Sequence, residues 1–188
     1  MVDIAMHMMD IAQNSIRANA KHIDIAFRES QSANELVFCI CDDGDGMSSD
    51  MIAKITDPFF TTRTTRKVGL GVPFLKMTAE QTGGSFFIES ELGKGTKINA
   101  KYFTNHIDCL PLGDIPGYLI LLFIANPKLQ ISFQYKLDDE VFSVSTSELA
   151  DEGITDLQNA EISAAIRAYV NENLQALMRI RNTNSFLC

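Results

Sequence analysis

The chain has 188 residues, is 46% hydrophobic and 21% charged, and carries a formal net charge of −8. That length suits one ordinary domain, or a domain with a small appendage, and excludes a large multidomain assembly. The acidity argues against a phosphate-backbone partner, because nucleic-acid binders carry a basic face, so no nucleic acid is expected.

The N-terminus, MVDIAMHMMDIAQN, lacks the basic start and long apolar core of a signal peptide, so a cytoplasmic protein is expected. Residues 3–20 read as a helix with Ile4, Met8, Ile11 and Ser15 on one side. Asp3, His7, Asp10, Asn14 and Arg17 form a polar stripe on the other, with His7 expected to be solvated or near a pocket. Asp10 and Asn14 are four apart on that stripe and can reach the same ligand. A carboxylate can orient or deprotonate a water, and an amide oxygen is a hard ligand suited to Mg²⁺.

A strand over residues 22–27, a polar loop over 29–35 and a second strand over 36–41 follow. Cys39 and Cys41 share one face of that strand and read as reduced core thiols. With Cys109 and Cys188 the chain has four cysteines, none in CxxC spacing, and only three histidines, which argues against structural zinc. The second strand runs into ICDDGDGM, residues 40–47, where three carboxylates and two glycines close an apolar run. A calcium loop fails on register, since alternation from Asp43 gives Asp45 and then Met47. A solvated turn and a nucleotide pocket both stay open on this stretch alone. In a pocket, Asp42 would accept from an exocyclic amine, Gly44 and Gly46 would admit the base, and Met47 would lie against its ring.

Residues 48–55 read as a short helix capped by Ser48 or Ser49. DPFFTTRTTRK, residues 57–67, has no helical period and reads as a long functional loop. Next, Gly69 and Gly71 precede Pro73 at a helix start, and Gly83-Gly84 marks the stop. Glycines ahead of a helix bare backbone N–H groups where the helix dipole is positive, which favours a phosphate, and Arg63, Arg66 and Lys67 lie just upstream. Residues 85–90 and 96–103 form a hairpin about ELGKG. This order of elements predicts an α+β fold, a two-layer α/β sandwich whose mixed sheet is covered by helices on one face.

Residues 105–116 read as a linker, rich in proline and glycine, and residues 117–188 as a small C-terminal α/β appendage. The apolar segment 118–125 is too short to span a bilayer, so no membrane association is expected. A hairpin over 129–137 and 141–146 and a helix over 157–181 complete the chain. The broad apolar stripe of that helix suits core or the seam of a homodimer. From residue 105 onward 5 Lys and Arg face 11 Asp and Glu, so the acidity is concentrated there.

Asp10-x-x-x-Asn14, Asp42-x-Gly44-x-Gly46, Gly69-x-Gly71 and Gly93-x-Gly95-Thr96, in this order, resemble the N and glycine boxes of the GHKL (Bergerat-fold) ATPase superfamily. That superfamily holds gyrase, heat-shock chaperones, histidine kinases and MutL-type repair proteins. DPFFTTR resembles the F-box ahead of the ATP lid in histidine kinases. The likeness covers roughly residues 3–103 and implies a Bergerat fold with ATP and Mg²⁺ as cofactors. It implies that Asp42 reads adenine, Asn14 is the metal ligand, and Asp10 holds the general-base position. A lid over about residues 61–72, which includes Leu70, would close on the γ-phosphate with Arg63, Arg66 or Lys67 near it. Gly69 and Gly71 would supply backbone donors, and Thr96 would fix the end of the pocket or bond near the adenine through water. Two departures stand out: Asp10 occupies a position where ATP-hydrolysing relatives carry Glu, and Lys67 replaces the first glycine of the second glycine box.

The chain begins at the nucleotide-binding helix, so the expectation is a stand-alone domain that acts on a partner, similar to anti-sigma serine kinases. PFFTTRTTRKVGLG and HID-x-x-PLGDI also resemble small ATP-binding proteins of anaerobic bacteria that accompany iron-only hydrogenase subunits. Two functions follow as expectations. One is a protein kinase or slow ATPase with a regulatory protein partner as phosphoacceptor. The other is a non-catalytic switch whose lid controls partner association.

Overall fold

The computed structural model describes residues 3–56 and 71–181. Arg63, Arg66, Lys67, Gly69, Leu70 and the F-box-like DPFFTTR lie outside the described residues. The Asp3 carboxylate accepts from the Met6 amide at 2.8 Å and caps α1 (Ile4–Arg17). Then come β1 (His22–Ser30), β2 (Glu35–Asp42), α2 (Ser49–Ile55), α3 (Gly71–Gln81), β3 (Ser85–Glu91) and β4 (Gly95–Phe103). The C-terminal part adds α4 (Ile115–Ala125), β5 (Gln130–Leu137), β6 (Glu140–Ser145), α5 (Thr146–Asp151) and α6 (Ala160–Arg179).

Among the described residues the six strands form one mixed sheet in the order β3-β4-β2-β1-β5-β6. Side chains alternate across a strand, and the alternation here is sharp. Ile23, Ile25 and Phe27 of β1, Leu36, Phe38 and Ile40 of β2, and Ile98, Ala100 and Tyr102 of β4 are buried beneath the helices. Phe27 stacks on Phe38 at 5.0 Å and on Tyr135 at 5.7 Å between ring centroids, fixing the centre of the layer. The opposite face carries Asp24, Arg28, Lys97 and Lys101. This is an α+β sandwich of two layers with one open sheet face. Cys39 and Cys41 are free thiols on that other face, because they alternate with Phe38 and Ile40; Cys39 is buried as expected, whereas Cys41 is only half-buried. Burial under neighbouring side chains still pushes both thiols above their ordinary pKa, so neither is an activated nucleophile.

The expected hairpin and final helix form, and the hairpin continues the N-terminal sheet. β5 runs parallel to β1, in register from His22 opposite Gln130 to Glu29 opposite Leu137. Residues 117–181 thus share one hydrophobic core with residues 3–104. The stretch read as a linker is packed: the Pro111 carbonyl accepts from the Ile4 amide and the Leu112 carbonyl from the Ala5 amide, both at 2.9 Å. They satisfy two of the orphan donors at the start of α1. The apolar segment after it is α4, opened by the Asp114 carboxylate accepting from the Gly117 amide at 2.9 Å. It is apolar all round because α1 and α6 both pack on it.

β1 runs further than its sequence suggested, to Ser30, and takes Glu29 into the covered layer at 4% exposure. Glu29 Oε2 accepts from Tyr135 Oη and from Arg181 Nη2, each at 2.6 Å, and Arg181 also donates to Tyr135 Oη at 2.8 Å. Burial holds the Tyr135 hydroxyl well above its ordinary pKa, so it stays a donor. A buried ion pair thus pins the end of the C-terminal helix region to the central strand. Among the described residues no helix is long and apolar enough to cross a membrane.

Candidate functional site

β2 ends at Asp42, which pairs across the antiparallel ladder with Thr96 at the start of β4. Both side chains point into the covered layer, in phase with Ile40 and Ile98. Asp42 Oδ2 accepts from Ser15 Oγ at 2.5 Å, and Oδ1 accepts from the Gly44 amide at 3.0 Å. Ser15 follows Asn14 on α1, so one charge-assisted hydrogen bond ties the helix to the strand end. Thr96 Oγ1 lies 2.8 Å from Ser90 Oγ. Ser90 donates to the Gly95 carbonyl at 2.9 Å and accepts from the Met47 amide at 2.8 Å, so the remaining Thr96 bond is donated to it. Met47 is thereby held at the same end of the sheet as Thr96.

Two glycines make this closure possible. Gly46 has φ 65, and a Cβ there would stand 1.9 Å from the Glu91 carbonyl oxygen. Gly95 has φ 94, and its Cβ would stand 1.8 Å from the Asp42 carbonyl oxygen. No side chain fits either place, so the loop after β2 lies directly on the β3–β4 turn. Asp43 and Asp45 are exposed but employed. Asp43 Oδ1 accepts from the Lys21 and His22 amides at 2.7 and 2.8 Å, which holds its carboxyl below the usual range. Asp45 Oδ2 accepts from Asn19 Nδ2 at 2.7 Å. The loop is braced against the end of α1 by residues beside the predicted base reader.

Asp10 and Asn14 are exposed on α1. A Cβ on Gly71 would come 3.3 Å from Asp10 Cβ and 3.5 Å from its Oδ2, so the start of α3 lies against Asp10. Arg17 Nη1 donates to Asn14 Oδ1 at 3.1 Å. Asp10, Asn14, Asp42, Gly44, Gly46, Met47, Gly71 and Thr96 therefore gather about one end of α1 and β2. A single amide oxygen and a nearby carboxylate, both exposed, suit Mg²⁺, which keeps several waters and takes phosphate oxygens as further ligands. Ser15, Ser90 and Arg17 were not picked out as site residues. Ser15 is a hydroxyl on an otherwise apolar helix side next to Asn14, and that was the available signal.

His7 departs most from expectation. It is fully buried, not on a solvated stripe, because α3 packs over that side of α1. Its Nε2 lies 3.2 Å from Thr78 Oγ1, which lies 3.2 Å from Tyr102 Oη, and among the described residues its Nδ1 has no partner. Burial lowers the His7 pKa from 6.5 to about 4. The unfolded chain binds the proton first, so this contribution is complete above pH 6.5 and is lost as pH falls toward 4. The expected loss is about 3 kcal/mol. Urea unfolding at pH 7 and pH 4.5 should show it in the parent, and a shallower pH dependence in His7→Met.

Residues 3–106 match the family described as histidine kinase-, DNA gyrase B-, and HSP90-like ATPase, more than half of the chain. The chain belongs to this family. Relatives of this ATPase-family chain include Sensor kinase CckA of Brucella abortus (strain 2308), 41% identical over 71 residues, 37% of this chain and 8% of that protein. Sporulation kinase C of Bacillus subtilis (strain 168) is 31% identical over 88 residues, 47% of this chain and 20% of that protein. Sensor histidine kinase ZraS of Escherichia coli (strain K12) is 30% identical over 89 residues, 47% of this chain and 19% of that protein. The ATPase-family chain thus spans a fifth or less of the length of these relatives. Among solved structures, the N-terminal domain of a DNA repair protein superposes with a TM-score of 0.53 at 15% identity, over 77% of this chain and 52% of that one. That likeness is one of fold.

Proposed function

We propose that this chain binds Mg-ATP between α1 and the Asp42–Met47 loop and acts as a protein kinase or slow ATPase on a regulatory protein partner in the cytoplasm. The observation that supports it best is Asp42, hooked by Ser15 to the helix that presents Asp10 and Asn14 and set opposite Thr96. Each Asp42 oxygen already accepts one hydrogen bond and keeps a lone pair, enough to accept from an exocyclic adenine amine. Asn14 would hold Mg²⁺, which when bound neutralises charge shared between phosphates. Arg17, now on the Asn14 amide oxygen, is placed to turn toward a phosphate. Asp10 would orient the nucleophile, a water or a partner hydroxyl, and accept its proton. It is one methylene shorter than the glutamate of hydrolysing relatives, which favours slow turnover.

A second reading is a non-catalytic switch, in which nucleotide binding alters partner association. It is favoured by the direct bonds from Pro111 and Leu112 to the start of α1, which join the acidic C-terminal part to the nucleotide helix. Association with hydrogenase subunits and a homodimer are proposals that rest on sequence alone. The test uses labelled ATP with Mg²⁺ and candidate partner proteins. Phosphate transfer or release in the parent should fall by ~100-fold or more in Asn14→Ala. Equal rates in the two proteins would remove the catalytic reading. ATP bound but intact after hours, with partner affinity changed, selects the switch.

A further inference from the structure

We propose that His7 is a positioning residue, acting through Thr78 and Tyr102 to hold α3 against α1 so that Gly71 stays on Asp10. The inference rests on the reading of Asp10 as the base, and it adds a residue that no glycine box contains. α1 and α3 pack in opposite directions, since His7 meets Thr78 and Asp10 meets Gly71. The Asp10 end of this seam is exposed and lies against Gly71. The other end is a buried polar node that joins α1, α3 and β4.

Donor counting assigns the node. Thr78 Oγ1 lies 2.9 Å from the Phe74 carbonyl and 3.2 Å from that of Leu75, and its one hydrogen goes to this pair. Its two lone pairs then accept from His7 Nε2–H and from Tyr102 O–H. Burial pushes the Tyr102 hydroxyl well above its ordinary pKa, so it remains protonated and donates. The tautomer with hydrogen on Nε2 leaves Nδ1 as a buried acceptor without a partner among the described residues. An apolar residue would avoid that unsatisfied nitrogen. What an apolar residue cannot do is fix the rotation and height of α3 with a directional bond at Thr78. Packed apolar surfaces tolerate small slides, whereas a hydrogen bond at 3.2 Å into a shared hydroxyl does not. α3 also leads back to the glycine that faces Asp10, so a slide of α3 moves the backbone beside the base.

The test uses the full chain with three substitutions, His7→Met, His7→Gln and Thr78→Val. Gln can place an N–H donor near the Nε2 position, whereas Met fills space without a donor, and Val removes the shared hydroxyl at nearly constant shape. Two quantities are read: steady-state ATP turnover with nucleotide affinity, and hydrogen exchange of the amides of residues 71–75 without nucleotide. In His7→Met and Thr78→Val, kcat is expected to fall between ~10- and ~100-fold with nucleotide affinity unchanged, because a displacement near 1 Å is enough. Exchange over residues 71–75 should quicken in both, while His7→Gln stays near the parent in both quantities. A purely structural role would lower folding stability and affinity together, and His7→Gln would not rescue. Parent-like kcat and parent-like exchange in His7→Met would overturn the proposal. If the parent shows no turnover, the catalytic reading of the preceding section fails and exchange alone decides. Faster exchange in His7→Met and Thr78→Val but not in His7→Gln supports the node, and unchanged exchange overturns it.

Discussion

Asp42→Asn is expected to lower ATP affinity by ~100-fold or more and to abolish any preference for ATP over GTP, because a site built to hydrogen-bond one group is left mispaired. The substitution keeps shape but not charge. Ser15 Oγ donates to one Asp42 oxygen at 2.5 Å, and in the variant that bond claims the only amide oxygen. The Asn NH₂ then faces the Gly44 amide and the incoming base amine, two donors against a donor. The fold should stand, since one weakened hydrogen bond costs about 1 kcal/mol. Calorimetric titration of parent and variant with ATP and GTP, with and without Mg²⁺, checks this. An Asn variant that binds ATP as the parent does would show that Asp42 does not read the base.

Arg181→Ala is expected to destabilise the fold by about 3–5 kcal/mol, since it leaves Glu29 charged, buried and without its cation. Glu29 and Arg181 meet at 2.6 Å with side-chain exposures of 2% and 9%, and among the described residues Tyr135 is the other donor to that carboxylate oxygen. A loss of that size is a large part of the total stability of an ordinary domain, about 5–15 kcal/mol. Urea unfolding of Arg181→Ala measures it, and a loss under about 1 kcal/mol would show that the pair contributes little. The paired replacement Glu29→Leu with Arg181→Met should recover most of the loss, because it removes both charges together.

These two residues mark where the sequence was and was not legible. The glycine boxes are local signals, and Asp42, Gly46 and Gly95 are marked by the short motifs that hold them, although the backbone each glycine meets is distant in sequence. The hairpins, the capped helices and the two-layer class follow from short-range patterns of the same kind. Glu29 could not be read that way. It lies next to Ser30 and a run of polar residues, and only pairing with β5 and the arrival of Arg181 make it interior. His7 fits a polar stripe by spacing, and only α3, whose start follows a long segment of different character, decides that this side of α1 is covered. Cys39 and Cys41 share a face by alternation, as expected, but alternation alone cannot say which face the helices take. α4 has little period to read because α1 and α6 both pack on it, which leaves Leu121 as its exposed apolar side chain.

The parallel pairing of β1 with β5 has a consequence for how the chain is made. β1 and β2 are joined by a short turn and can pair as soon as both exist, but β5 lies about a hundred residues later in the chain. Until residue 137 has left the ribosome, the strand that ends as an interior member of the sheet is a bare edge, with a row of open amides and carbonyls beside Ile23, Ile25 and Phe27. A nascent chain stalled near residue 106 therefore carries its whole glycine-box region with that edge still open, and α1 waits for Pro111 and Leu112 before its first amides are satisfied.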